Sequence, residues 1–179
     1  INRLLGDLRG IDIKFGFPLL PDKNNIRYKK LLKGGAFLDI GVYICKTVSL
    51  LMNTEKVEIL SNINYIKGYD VDMYGSCLII SGNNSITGSW GFDNNYSCSL
   101  DLWFSKGRLK ADRFFTAKKE FVAKVEVTSG EDKAINQFID DQYYNTLDEF
   151  YLTIFSKKKM QDNYISNLVQ SELMSKIYE

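Results

Sequence analysis

The sequence predicts an α+β fold: an open, mainly antiparallel β-sheet of about six or seven strands with helices packed on one face. Apolar and polar residues alternate with a period of two through much of the stretch from Val57 to Val127, a pattern typical of strands. Short turns rich in Gly, Asn, Asp and Ser join these runs, as in an antiparallel meander. The apolar spacing is helical on both sides of this stretch, so helices are available to cover one face of the sheet.

The individual elements follow from local patterns. A first strand is expected within residues 6–18, where apolar side chains alternate until a proline ends the run. A long helix is expected from Gly34 to about Met52, and its apolar residues on most sides predict burial. Near the end of the chain, residues 139–154 carry a helical apolar stripe, and Asp162 is expected to cap a last helix.

Composition limits the classes of function. The chain has 179 residues, 45% hydrophobic and 25% charged, which suits one globular domain. Lys and Arg number 23 against 22 Asp and Glu, so charge favours neither a nucleic acid nor a membrane surface as partner. The chain has no histidine, which excludes His-activated nucleophiles and imidazole metal sites, and no metal is expected. Its three cysteines are expected to be buried thiols in a cytoplasmic protein.

Asp39 and Tyr43 form the candidate chemical pair, because residues four apart on a helix project from the same face. A phenol can act as a general acid or base if a nearby cation lowers its pKa, while the carboxylate orients a hydroxyl. The same residues also occur without function, since an early helical Asp offsets the helix dipole and a helical Tyr is often core. Gly34 and Gly35 are expected to leave backbone N–H groups open to a ligand.

Three runs of the sequence carry a resemblance to a known family. They read FGFP at residues 15–18, NIRY at 25–28 and KGGAFLDIGVY at 33–43. They resemble the segment opening the C-terminal domain of the glucose-fructose oxidoreductase and inositol dehydrogenase (Gfo/Idh/MocA) family. There a strand ending in Phe-x-Phe precedes a loop Arg and then GGGALLDIGVY or GGGALLDIGVH. Lys33 stands in place of the first Gly of that pattern, and Phe37 in place of a Leu. The later strands and terminal helices are similar too, so the resemblance covers nearly the whole chain.

The resemblance implies a function for a longer protein. Residues 1–179 would be a single C-terminal domain for substrate binding and oligomerisation, with NAD or NADP bound mainly by an N-terminal Rossmann domain absent from this chain. The full-length protein is expected to move a hydride between nicotinamide and a carbinol or ketone carbon of a sugar or sugar nucleotide, and this chain alone is expected to be inactive. Tyr43 would exchange the hydroxyl proton and Asp39 would orient the hydroxyl, as in the Tyr-containing branch with sugar-nucleotide ketoreductases.

The resemblance also implies further site residues. Arg27 is expected to contact a substrate phosphate or carboxylate through its guanidinium fork, although a loop Arg can also be merely solvated. Tyr96 lies near the position of a substrate-contacting aromatic residue, and its alternative is a place in the strand core. Lys33, Gly34 and Gly35 are expected near the cofactor.

Other functions and modes of assembly stay open at this point. The fold could also serve as a noncatalytic dimerisation or ligand-sensing module, or as a free-standing sheet domain that binds a small ligand without a cofactor. One predicted sheet face is either solvated or packs against a second copy in a homodimer or tetramer. That face carries the small side chains of Ser85, Thr87, Ser89, Ser97 and Ser99.

Overall fold

The computed structural model describes residues 2–178, with side chains from Leu4 onward, and its centre is an eight-stranded sheet. The strands are β1 (Leu8–Gly16), β2 (Glu58–Tyr65), β3 (Asp72–Ser81), β4 (Asn84–Gly91), β5 (Ser97–Phe104), β6 (Gly107–Asp112), β7 (Ala123–Ser129) and β8 (Asp132–Phe138). The α-helices are α1 (Asn2–Leu5), α2 (Val42–Leu51), α3 (Gln142–Ile154) and α4 (Lys157–Tyr178). Two 3₁₀ turns (Ile26–Tyr28 and Lys30–Leu32) and a π-helical turn (Phe37–Gly41) precede α2.

The strands lie in the order β2-β3-β4-β1-β5-β6-β7-β8. Two antiparallel meanders, β2 to β4 and β5 to β8, flank β1, which pairs parallel with β4 and antiparallel with β5. The predicted α+β class with a mainly antiparallel open sheet is therefore confirmed. The sheet has more strands than the six or seven expected, and β8 shows why, because all seven of its residues are exposed and show no alternation of burial.

The core lies between one face of the sheet and the helices α2 and α4. The inward side chains of β1 are Ile11, Ile13 and Phe15, all at most 5% exposed. Helix α2 buries four residues, whereas α4 buries only Leu173 and Ile177. Helices on one face were expected, and these two provide the cover by burying apolar surface against the sheet.

Helix α3 and the start of α4 differ from the expectation. None of the residues of α3 is buried, so the apolar stripe predicted to cover the sheet faces outward. Asp162 is not a cap, because α4 begins five residues earlier. The side chain of Ser156 accepts the N–H of Lys159 at 3.3 Å, and this hydrogen bond caps the helix at its true start.

The stretch from Lys30 to Leu51 has the length and apolar character of a membrane-spanning helix. Half of its most apolar part is buried inside the fold, and the core helix of a globular domain can have the same length and composition. In this structure the stretch contains a 3₁₀ turn, the π-helical turn and α2, which pack on the sheet.

Candidate active site

An open cleft of about 590 Å³ lies where β1 ends and the π-helical turn meets α2. It brings together four of the residues singled out in the sequence, namely Arg27, Asp39, Tyr43 and Tyr96. The remaining lining residues are mostly apolar: Phe15, Phe17, Pro18, Leu19, Leu20, Ile40 and Thr116. An apolar cleft with a few convergent polar groups is the usual form of a small-molecule site.

Asp39 and Tyr43 lie on either side of a change in helix type. Asp39 belongs to the π-helical turn and Tyr43 to the first turn of α2. Gly41 allows this wide turn, because a Cβ at that position would overlap the ring of Phe37. Both side chains still line the same cleft, and π-helical turns are frequent at functional sites.

Arg27 forms an ion pair with Asp39 across the rim of the cleft. Its Nε–H donates to Oδ2 of Asp39 at 2.7 Å, and both side chains are about one third exposed. From the sequence, the guanidinium was expected to hold a substrate anion through its fork. The structure shows that the Nε–H is already used by Asp39, whereas the two Nη groups make no hydrogen bond within the described residues.

Tyr43 is held by packing on its ring. Its ring centroid lies 5.4 Å from that of Phe15 and 5.1 Å from that of Phe115. Burial, followed by the negative charge of Asp39, raises the pKa of Tyr43 above its ordinary value. The phenol is therefore protonated at neutral pH, and its hydroxyl has no hydrogen-bond partner among the residues whose side chains the structure describes. A role for Tyr43 as acid or base was expected to need a cation that lowers its pKa, whereas burial and Asp39 shift this pKa upward.

Tyr96 lies just before β5 and is 39% exposed, so it is not a strand-core residue. Its ring lies 4.7 Å from the guanidinium carbon of Arg113, a cation–π contact. The ring therefore occupies a fixed place in the wall of the cleft.

Lys33, Gly34 and Gly35 lie behind the cleft and not in its lining. The backbone N–H groups of Gly34 and Gly35 were expected to be open, but Gly34 donates to the carbonyl of Lys29 at 3.0 Å and Gly35 to that of Arg27 at 2.9 Å. A Cβ on Gly34 would overlap the carbonyl oxygen of Arg27, and one on Gly35 would overlap the carboxylate of Asp72. The two glycines are needed for close packing of this loop.

Asp72 and Phe115 support the site, although the sequence indicated only a turn or strand-edge place for Asp72 and no role for Phe115. Asp72 is 3% exposed, and one of its oxygens accepts the N–H of Phe37 at 2.7 Å, which anchors the start of the π-helical turn. Burial raises the pKa of this carboxyl, opposed by that hydrogen bond. No pattern in the neighbouring sequence identifies either residue. Asp72 contacts Phe37 and Phe115 contacts Tyr43, and each pair is more than 30 residues apart in the sequence.

Metal ligation finds no support within the described part of the chain. No group of three or more His, Cys, Asp or Glu side chains there could hold a metal ion. The three cysteines are free and buried.

Comparison with known proteins gives a family match. A family model described as the GFO/IDH/MocA C-terminal domain matches residues 2–110, more than half of the chain. A dTDP-3,4-didehydro-2,6-dideoxy-α-D-glucose 3-reductase of Saccharopolyspora spinosa is 34% identical over 124 residues, which make up 69% of this chain and 37% of that protein. The enzyme of the same name from Actinomadura kijaniata is 25% identical over 179 residues, 97% of this chain and 53% of that protein. The chain thus spans about half or less of the curated relatives it matches.

Solved structures share the fold. KijD10, a 3-ketoreductase from Actinomadura kijaniata in complex with NADP and TDP-benzene, superposes with a TM-score of 0.87 at 21% identity, covering 98% of this chain and 54% of that one. An aldose-aldose oxidoreductase from Caulobacter crescentus superposes with a TM-score of 0.75 at 16% identity, covering 96% and 56%. At these identities the likeness concerns the fold.

Proposed function

Because the chain belongs to the GFO/IDH/MocA family, we propose that it is the substrate-binding and oligomerisation part of an NADP-dependent reductase. The substrate is a keto sugar linked to a nucleotide, and the product carries a hydroxyl at the same carbon. The convergence of Arg27, Asp39 and an unpartnered Tyr43 hydroxyl in one cleft carries the proposal. The names of the relatives, dTDP-sugar 3-reductases, and the NADP and TDP-benzene bound to KijD10 support the choice of cofactor and substrate class.

The residues of the cleft account for the proton side of such a reduction. NADPH, when bound, supplies the hydride that the carbonyl carbon receives. The Tyr43 hydroxyl gives its proton to the carbonyl oxygen, which becomes the hydroxyl, and the phenolate is then reprotonated from water. Its raised pKa keeps the phenol protonated at neutral pH, which is the state a proton donor needs. The free Oδ1 of Asp39 accepts a hydrogen bond from a neighbouring hydroxyl of the sugar.

The dinucleotide itself fits poorly to this chain alone. The sequence of the chain contains no G-x-G-x-x-G phosphate loop. The N–H groups of Gly34 and Gly35 donate to carbonyl groups of the protein and are not open to a phosphate. We therefore assign the cofactor mainly to a nucleotide-binding domain outside these residues.

Free buried cysteines fit a cytoplasmic location, where thiols stay reduced.

Steady-state kinetics of the full-length protein test this proposal. With NADPH and a nucleotide-linked keto sugar, Tyr43→Phe should lower kcat by about 10²-fold, the usual effect of losing a general acid. Tyr144→Phe is the matched control, because Tyr144 is exposed on α3 and does not line the cleft. An unchanged kcat in Tyr43→Phe would refute the assignment. Binding of the nucleotide sugar without any turnover by the wild type would favour a ligand-sensing module.

We propose that the uncovered sheet face joins two copies of the chain. Trp103 and Leu60 are 68% and 69% exposed, and both lie on this face with the small Ser and Thr side chains. Exposed apolar residues on a flat sheet favour sheet-to-sheet packing. Sedimentation velocity should show a dimer or larger species that Trp103→Lys dissociates. Leu147→Lys on α3, also 69% exposed, should leave it intact, and a monomeric wild type would contradict the interface.

A further inference from the structure

The ion pair between Arg27 and Asp39 leaves one unused group on each partner. Arg27 uses its Nε–H to reach Oδ2 of Asp39 at 2.7 Å. Within the described residues, the two Nη groups of Arg27 make no hydrogen bond and Oδ1 of Asp39 accepts none from a side chain. One carboxylate oxygen is thus held by the protein, and the other remains available on a residue that lines the cleft.

We propose that Arg27 is a positioning residue that acts through Asp39, by fixing the carboxylate that faces the substrate and offsetting its charge beside Tyr43. Its consequence for catalysis rests on the proposed function. The ion pair itself is a property of this chain and can be tested without substrate or cofactor.

The backbone around Arg27 is built to hold this arrangement. The side chain of Asn25 accepts the Arg27 N–H at 3.1 Å, and the Arg27 carbonyl accepts the Gly35 N–H at 2.9 Å. Gly34 packs against that same carbonyl so closely that a Cβ would overlap it. The backbone of Arg27 is therefore anchored through both its N–H and its carbonyl group. A merely solvated loop residue would not require this loss of backbone freedom.

The charge of Asp39 matters because of its effect on Tyr43. The groups that raise the pKa of Tyr43, after burial, are Asp39 on the same helical stretch, Tyr143 at the start of α3 and Cys98 on β5. Asp39 stands first among these and is the one that the guanidinium of Arg27 contacts. Without Arg27 the Asp39 carboxylate has no ion-pair partner. Its charge is then uncompensated, and its side chain is free to turn toward the Tyr43 hydroxyl.

The rival role for Arg27 is a direct clamp on a substrate phosphate. A clamp would use the Nη edge, and its loss would weaken binding of the whole substrate. A positioning residue instead affects the step in which the proton moves, so its loss lowers kcat more than it raises KM. The two roles therefore predict different kinetic results.

The first experiment uses this chain alone. In ¹H–¹⁵N spectra of arginine side chains, the Nε–H of Arg27 should be shifted and protected from exchange, and both features should disappear in Asp39→Asn. Arg9, which is about half exposed, serves as the internal control and should be unaffected. An Arg27 Nε–H that exchanges as fast as that of Arg9 in the wild type would overturn the proposal.

The second experiment is a double-mutant cycle in the full-length protein. Arg27→Gln should lower kcat by about tenfold or more, the effect of losing a charge-assisted hydrogen bond, and Arg27→Lys should restore part of it. In the Asp39→Asn background Arg27→Gln should have little further effect, since residues acting as a unit are not additive. An additive effect, or one seen only in KM, would refute positioning. A wild type without reductase activity would defeat the proposed function and leave the first experiment to decide the ion pair.

Discussion

Gly35→Ala is the substitution whose cost the structure defines most closely. Gly35 has φ +128°, a conformation that residues with a Cβ rarely adopt, and such strain costs about 1–3 kcal/mol. The added Cβ would also overlap Oδ1 of Asp72, whose other oxygen accepts the Phe37 N–H at 2.7 Å. Displacing that buried carboxylate forfeits a charge-assisted hydrogen bond of about 1.5–3 kcal/mol. We expect the free energy of unfolding to fall by roughly 3–5 kcal/mol.

Urea denaturation followed by tryptophan fluorescence measures this loss. Gly68→Ala is the matched control, because Gly68 also has a positive φ, +94°, but no heavy atom lies within 4 Å of a Cβ built there. The control therefore carries only the backbone strain, about 1–3 kcal/mol. Equal losses in the two variants would refute the argument that Gly35 is required by its contact with Asp72.

Three further results are expected. In the same urea assay, Ile13→Ala in the fully buried centre of β1 should cost about 2–5 kcal/mol, whereas Leu147→Ala on α3, 69% exposed, should stay within about 0.5 kcal/mol. Burial raises the pKa of Cys45 and of Cys77 to about 12, so a thiol reagent at pH 8 should react with either one only after unfolding. Because burial raises the pKa of Asp72 in the folded state, its contribution to stability should fall as pH rises above the ordinary carboxyl value of about 3.9. Asp72→Asn should therefore flatten the dependence of stability on pH above about 4, and an unchanged slope would contradict this account.

The sequence predicted those parts of the fold that depend on local pattern. The buried alternation of Ile11, Ile13 and Phe15 identifies β1, because side chains of a strand point to opposite faces in turn. The parallel pairing of β1 with β4 could not be predicted in this way. Alternation within a strand shows which side chains are buried, but not which other strand lies beside it. Helix α3 was found from its spacing, but spacing alone does not say whether an apolar stripe is covered.

In the candidate site, too, local contacts could be predicted from the sequence and long-range contacts could not. The proximity of Asp39 and Tyr43 follows from helical geometry and could be read directly from the sequence. The pairing of Arg27 with Asp39 spans a loop whose path depends on two glycines and on contacts with carbonyl groups. Phe115 reaches Tyr43 from the segment after β6, and only the folded sheet places that segment beside α2.

Two carboxylates on opposite sides of the π-helical turn connect the stability of the fold to the geometry of the cleft. Asp72 holds the start of the turn from within the core, at Phe37, and Asp39 projects from the middle of the same turn toward Arg27. The turn is only five residues long, so a shift at its buried end must move the carboxylate at its exposed end. Asp72→Ala should therefore weaken the exchange protection of the Arg27 Nε–H even though Asp72 touches neither partner of the ion pair. Full protection in that variant would show that the loop around Arg27 fixes Asp39 without help from the core.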